Sequence, residues 1–191
     1  SVMDCRREFL AFLPAFEFCK QDGGEGTISL GQKSNMPVVS VNSPINVAIN
    51  GARGRIGTLL LASLLNQPTV KVVGLNGIPL REIKAFISRI NRFDTTYGDI
   101  FKAIQIKLKE INKKMRYAVV EINGQDVLIL NDLNGTVRWN LLKRIDRNGL
   151  EDLTVFESSG HNLTFKEAKE VHLKGGARHV IFTAPSKDKG T

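Results

Sequence analysis

The sequence predicts an α/β fold: a mostly parallel sheet flanked by helices, with a small antiparallel β insertion. Three observations predict it. The apolar run Ile45 to Ile49 stops at Asn50-Gly51, and Gly54 and Gly57 follow at three-residue intervals before a helical pattern begins at TLLLASLLNQ. A second apolar run, Val70 to Leu75, has the character of a strand buried on both faces. Further on, Tyr117 to Ile122 and Val127 to Leu130 flank Asn123-Gly124, a strong hairpin signal.

Taken in order, residues 1–44 read as an N-terminal extension and linker. Phe9 to Phe18 is apolar but interrupted by Pro14 and Glu17, which suits a short docking helix better than a secretory signal. Asp22 to Ser34 reads as a flexible linker. The chain starts at Ser1, so a processed or partial chain is expected, with Met3 and Met36 as alternative starts. The folded domain is expected over 45–191. Strand 45–49 feeds the glycine turn and a helix over 55–66, whose Ile56, Leu59, Leu60, Ser63 and Leu64 share one face. Gln67-Pro68 ends that helix, since proline cannot continue it. With the strand at 70–75 this is a βαβ unit of about 30 residues, the core of a Rossmann-like fold. Residues 79–92 form an amphipathic helix with Leu80, Ile83, Phe86, Ile87 and Ile90 inward. Ile104, Ile106 and Leu108 alternate with polar residues, as in a half-exposed strand, and with the hairpin make the antiparallel insertion. A helix near Trp139 to Ile145, a strand at Leu153 to Phe156, a turn at Ser158 to Gly160, a helix over 164–173 and a strand at Val180 to Thr183 complete the order.

Strand, glycine turn and helix together form a phosphate-binding unit. Glycines let the backbone N–H groups approach an anion, and the helix N-terminus offers partial positive charge. The formal net charge of +8 agrees with anionic partners, and it lies outside the first 35 residues, which are slightly acidic. The two cysteines, Cys5 and Cys19, have no metal-ligand spacing around them and read as free thiols of a reducing compartment. A cytoplasmic location is expected, with an organellar one left open. No run approaches the ~20 apolar residues of a membrane-spanning helix.

The order of motifs resembles the cofactor-binding half of the glyceraldehyde-3-phosphate dehydrogenase family. INGARGRIG matches that family's strand and glycine turn, and VVGLN sits where its second strand ends. FDTTYG (Phe93 to Gly98) resembles its Tyr-Asp-Ser-Thr-His-Gly segment. FESSG followed by AKEVHLKGGARHVIFTAPSKD resembles its Glu-Ser-Thr-Gly turn, the helix after it and its Ser-Ala-Pro-Ser strand end. The resemblance spans residues 45–191. It implies an NAD or NADP site in which Asn50, Gly51, Arg53, Gly54, Arg55, Ile56 and Gly57 line the pyrophosphate and nearby riboses. Asn76 and Gly77 would stand at the adenosine ribose. Ser158, Ser159 and Gly160 would close over the cofactor, and Thr183 and Ala184 would reach toward the nicotinamide ribose.

Three departures bear on function. The turn Asn50-Gly51-Ala52-Arg53-Gly54 is one residue longer than the family's Asn-Gly-Phe-Gly, in a G-x-x-G-x-x-G form that the dihydrodipicolinate reductase family also uses for nicotinamide dinucleotides. Gly77 stands where an acidic residue normally accepts from the ribose hydroxyls, so with Arg53 and Arg81 near in sequence NADP becomes possible as well as NAD, and loss of dinucleotide binding is equally open. Residues 45–191 contain no cysteine, whereas the family's nucleophile is a cysteine beyond the stretch that this chain matches. The chain is therefore expected to be a dinucleotide-binding domain, inactive alone. The alternative is a non-catalytic paralogue that serves as a structural or binding subunit, with protein partners or self-association. For that role Lys107, Lys109, Lys113, Lys114 and Arg116 offer a surface for RNA or an acidic partner. His161, His172 and His179 are read as ordinary surface or strand-edge histidines.

Overall fold

Apolar runs bounded by turn residues become the strands of one eight-stranded mixed sheet. The computed structural model describes residues 18–20, 44–91, 104–184 and 187. The strands are β1 (Phe18–Lys20), β2 (Ile45–Asn50), β3 (Val70–Asn76), β4 (Ile106–Asn112), β5 (Tyr117–Ile122), β6 (Gln125–Leu130), β7 (Thr154–Glu157) and β8 (His179–Phe182). They lie in the order β1-β8-β7-β2-β3-β6-β5-β4. β8, β7, β2, β3 and β6 run parallel. β5 is antiparallel to β6 and to β4, and β1 is antiparallel to β8.

Alternate residues of the central strands enter two cores on opposite faces of the sheet. Val47 and Ile49 of β2 join Leu75, Leu61, Leu64, Ile83, Phe86 and Ile90 on the face covered by α1 (Arg55–Leu65) and α2 (Ile83–Asn91). Ala48, Val73, Val155 and Val180 join Trp139, Leu142 and Leu173 on the other face. There the cover is a 3₁₀ helix, Trp139–Arg144, and a short α3 (Phe165–Ala168) that runs on into a π turn, Lys169–Leu173. The Trp139 ring lies over Gly74, where a Cβ would come within 3.1 Å of it. Among the described residues no helix is long and apolar enough to cross a membrane.

Three expectations are corrected. The helix at 55–65 buries Gly57, Leu60, Leu61 and Leu64, while Ile56 is 48% exposed and Ser63 faces solvent. Its phase is set by Gly57, whose absent side chain lets the helix rest on the Gly51 carbonyl; a Cβ there would lie 2.3 Å from that oxygen. The expected antiparallel insertion is present as β4 and β5, and β6 joins it to the main sheet by pairing in parallel with β3. The helices expected near 139–145 and over 164–173 are a 3₁₀ helix and an α helix widened into a π turn. In the second, Lys174 N–H reaches back five residues to the Lys169 carbonyl, and the extra residue in the turn brings His172 inward. Third, His172 is wholly buried, and it is no surface histidine. Phe18–Lys20, inside the stretch read as an extension, pairs with β8. Cys5, the linker at 22–34, FDTTYG and Pro185-Ser186 lie outside the described residues.

Candidate functional site

The chain leaves β2 toward β3 on one side, and later places β7 on the other side. This makes the carboxyl ends of β2 and β7 the point where the strand order reverses, the usual crevice of an open α/β sheet. Gly51, with φ +78°, turns the chain there and packs against the next crossover; a Cβ on it would lie 2.7 Å from the Ser159 backbone. Ser158 N–H and Oγ both donate to the Asn50 carbonyl, at 3.0 and 2.6 Å. Gly51 N–H and Ala52 N–H donate to the Asn76 carbonyl, which ties the β3 end to the same turn. Thr183 Oγ1 donates to the Glu157 carbonyl at 3.0 Å, bringing the β8 end alongside.

Beneath this junction runs a buried polar network. Asn76 Nδ2 donates to Asn50 Oδ1 (2.7 Å), and Asn50 Nδ2 donates to Glu157 Oε2 (2.7 Å). Ser159 donates to Glu157 Oε1 from its N–H and its hydroxyl, and Asn162 Nδ2 donates to Oε2. His172 Nε2 lies 2.7 Å from Glu157 Oε2, and Trp139 Nε1–H points at His172 Nδ1 from 3.2 Å. An indole N–H can only donate, so Nδ1 accepts and the imidazole proton sits on Nε2, donating to the carboxylate. Burial alone would push the Glu157 carboxyl up, but the hydrogen bonds from His172 and Ser159 outweigh it and hold it below the ordinary carboxylate range. The network fixes the strand ends without leaving a buried carboxylate unpaired.

Above the junction, Arg53, Gly54, Arg55 and Ile56 are exposed. The N-cap of α1 is Gly54; no side chain caps the helix, and no acid stands in its first turn. Its first N–H groups are thus left to a ligand or solvent. Thr58 Oγ1 donates to the Gly54 carbonyl at 2.8 Å, so its hydroxyl stays inside. Arg53 is ion-paired with Glu82, and its carbonyl accepts from Arg89 Nη2 at 3.0 Å, so it anchors the start of α2. Gly77 has φ +93°, in the left-handed region where a side chain is strained, and its N–H and that of Ile78 donate to the Leu130 carbonyl. Gly160 is exposed with φ +75°, and Ala184 packs partly on the second core.

The structure brings together Asn50, Gly51, Asn76, Gly77, Ser158, Ser159 and Thr183, and it pairs the Arg53 side chain with Glu82. Glu157, His172, Asn131 and Arg138 were not anticipated as site residues. Only Glu157 left a sequence signal, a carboxylate closing an apolar strand. Beyond Gly77 a cleft of about 300 Å³ opens between the β3 and β6 ends, lined by Pro79, Leu80, Arg81, Arg116, Asn131 and Asp132. The basic residues of 107–116 lie on edge strand β4 and its turn. There Lys109 is paired with Asp126 at 2.7 Å, which raises its pKa, and Lys107 stands 3.9 Å from Glu121. Lysines on an edge strand also discourage sheet-to-sheet pairing.

Comparison with known proteins finds the same region in many relatives. Over 142 residues the chain is 32% identical to glyceraldehyde-3-phosphate dehydrogenase 1 of Schizosaccharomyces pombe, covering 74% of this chain and 36% of that protein. It is 33% identical over 147 residues to glyceraldehyde-3-phosphate dehydrogenase of Colletotrichum gloeosporioides, covering 76% and 37%. It is 28% identical over 145 residues to the cytosolic glyceraldehyde-3-phosphate dehydrogenase of Leishmania mexicana, covering 75% and 37%. No family model matches the chain.

Proposed function

The chain belongs to the glyceraldehyde-3-phosphate dehydrogenase family, matching its N-terminal dinucleotide-binding domain, and from that premise we propose that it binds NAD or NADP along the carboxyl ends of β2, β3, β7 and β8. The chain spans a little over a third of the length of the relatives it matches. The observation that carries the proposal is the reversal point itself: Gly51 seated on Ser159, beside an exposed helix N-terminus with neither cap nor acid. Gly51, Gly54, Arg55, Ile56 and Gly57 present or shape backbone N–H groups for the pyrophosphate, an arrangement that a glycine-rich turn and a helix dipole favour. Asn50 and Asn76, locked together and onto Glu157 and Asp132, hold the two strand ends in register under it. Ser158, Ser159 and Gly160 border the crevice from the β7 side, with Thr183 and Ala184 toward the nicotinamide end.

When bound, the nicotinamide accepts or gives up a hydride. The chain's own part is to hold and orient it, since residues 20–191 contain no cysteine to form a thiohemiacetal with an aldehyde. A cytoplasmic setting is proposed with it. Calorimetric titration of the whole chain with NAD and with NADP tests the reading. Saturable binding of either is expected, and failure of both to bind would overturn it in favour of a structural use of the fold.

A further inference from the structure

We infer that the cleft beyond Gly77 is a subsite for a phosphate on the adenosine 2′ position, with Arg81 and Arg116 as the groups that hold it, so that the chain selects NADP over NAD. The inference rests on the dinucleotide reading and sharpens it.

The charge of the cleft is the first argument. Its one acid, Asp132, has both oxygens occupied by Arg138: Oδ2 accepts from Arg138 N–H at 3.0 Å and from Nε at 2.9 Å, and Oδ1 accepts from Nη2 at 2.8 Å. Two guanidinium groups remain on the lining. Arg81 is 85% exposed and only 3.8 Å from Glu82, which is engaged with Arg53. Arg116 makes no ion pair among the described residues. A cleft with two exposed arginines, one of them 3.8 Å from an acid already shared with Arg53, and a neutralised carboxylate favours a dianion, and arginine matches phosphate oxygens in bidentate fashion.

Arg116 is placed there by the same residue that neutralises Asp132. Arg138 Nη1 donates to the Met115 carbonyl at 2.7 Å and Nη2 to the Arg116 carbonyl at 3.1 Å. These bonds pin the β4–β5 turn, where Arg116 adopts φ +54°, against the end of β6.

The remaining lining also fits. A free ribose 2′-hydroxyl calls for a carboxylate at the end of β3, where Gly77 stands in a conformation that disfavours any side chain, and both nearby acids are spent. Asn131 also lies on the lining, and its buried Oδ1 has no hydrogen-bond partner among the described residues. Pro79 and Leu80 supply apolar wall. Arg53, the arginine nearest the glycine turn in sequence, is committed to Glu82 and Arg89 and takes no part.

The test is titration of the whole chain with NADP, NAD and adenosine 2′,5′-bisphosphate. NADP is expected to bind about tenfold or more tighter than NAD, with the preference shrinking as salt rises. Arg116→Asn tolerates the left-handed turn while removing the charge, and Arg81→Ala leaves the fold alone. Each is expected to weaken NADP and the bisphosphate about tenfold and to leave NAD within about twofold. Lys109→Ala, on the far edge of the same arm, should change neither. NAD and NADP binding alike, with Arg116→Asn silent for both, would overturn the 2′-phosphate subsite and leave the dinucleotide reading standing. Binding of none of the three ligands would overturn both.

Discussion

Glu157 closes an apolar strand with a carboxylate that five donors surround: Asn50, Asn162, His172, and the N–H and hydroxyl of Ser159. Glutamine would turn an NH₂ toward donors that need an acceptor, so Glu157→Gln is expected to cost about 3 kcal/mol or more in urea denaturation at neutral pH. The pH dependence follows from the same contacts. A carboxyl whose folded pKa lies below its ordinary value of 4.5 contributes stability above that value and loses it as pH falls through the folded pKa. Asp146, held down by Lys71, acts in the same direction. Stability is therefore expected to fall from about pH 5 downward, and by less in Glu157→Gln than in the parent chain. Little of this cluster is legible in the sequence. Asn50 is 107 positions from Glu157, and His172 reaches it only because a π turn adds one residue to its helix. Local periodicity does not report such a turn.

At the scale of elements, α1 is where binding and stability part company. An acid in the first turn of a helix favours the macrodipole, typically by 0.3–1 kcal/mol at an exposed position, and repels an anion bound there. Arg55→Glu is expected to leave Tm unchanged or slightly raised while weakening dinucleotide binding about tenfold or more, checked by thermal denaturation and calorimetry together. Loss of both would point to a folding role for Arg55. The existence of this helix and of its glycine turn was plain from spacing, and its buried face was not. Apolar counting puts Ile56 inward, whereas the close approach of Gly57 to Gly51 rotates the helix and leaves Ile56 at the crevice. Contact with a backbone carbonyl outweighed hydrophobic periodicity, because a backbone clash cannot relax as a side chain can.

On the scale of the molecule, β6 decides how the arm of β4 and β5 behaves. Its Leu128 to Leu130 pair in parallel with Gly74 to Asn76, so the hairpin strands extend the central sheet. Hydrogen exchange is expected to show β6 amides protected with those of β2, β3 and β7, and β4 amides exchanging first at the open edge. Equal, fast exchange across β4, β5 and β6 would instead mark an independent arm. The sequence by itself determined the order of strands and helices, the glycine turn, the hairpin and the family, since each depends on neighbouring residues or on a motif kept in register. Tertiary structure alone decided that His172 is a core partner of Glu157 and that Arg53 serves Glu82. It also decided that Arg116, from a distant turn, faces the end of β3. Those outcomes depend on which strand lies beside which, and a charge finds its partner across the sheet at separations no local pattern records.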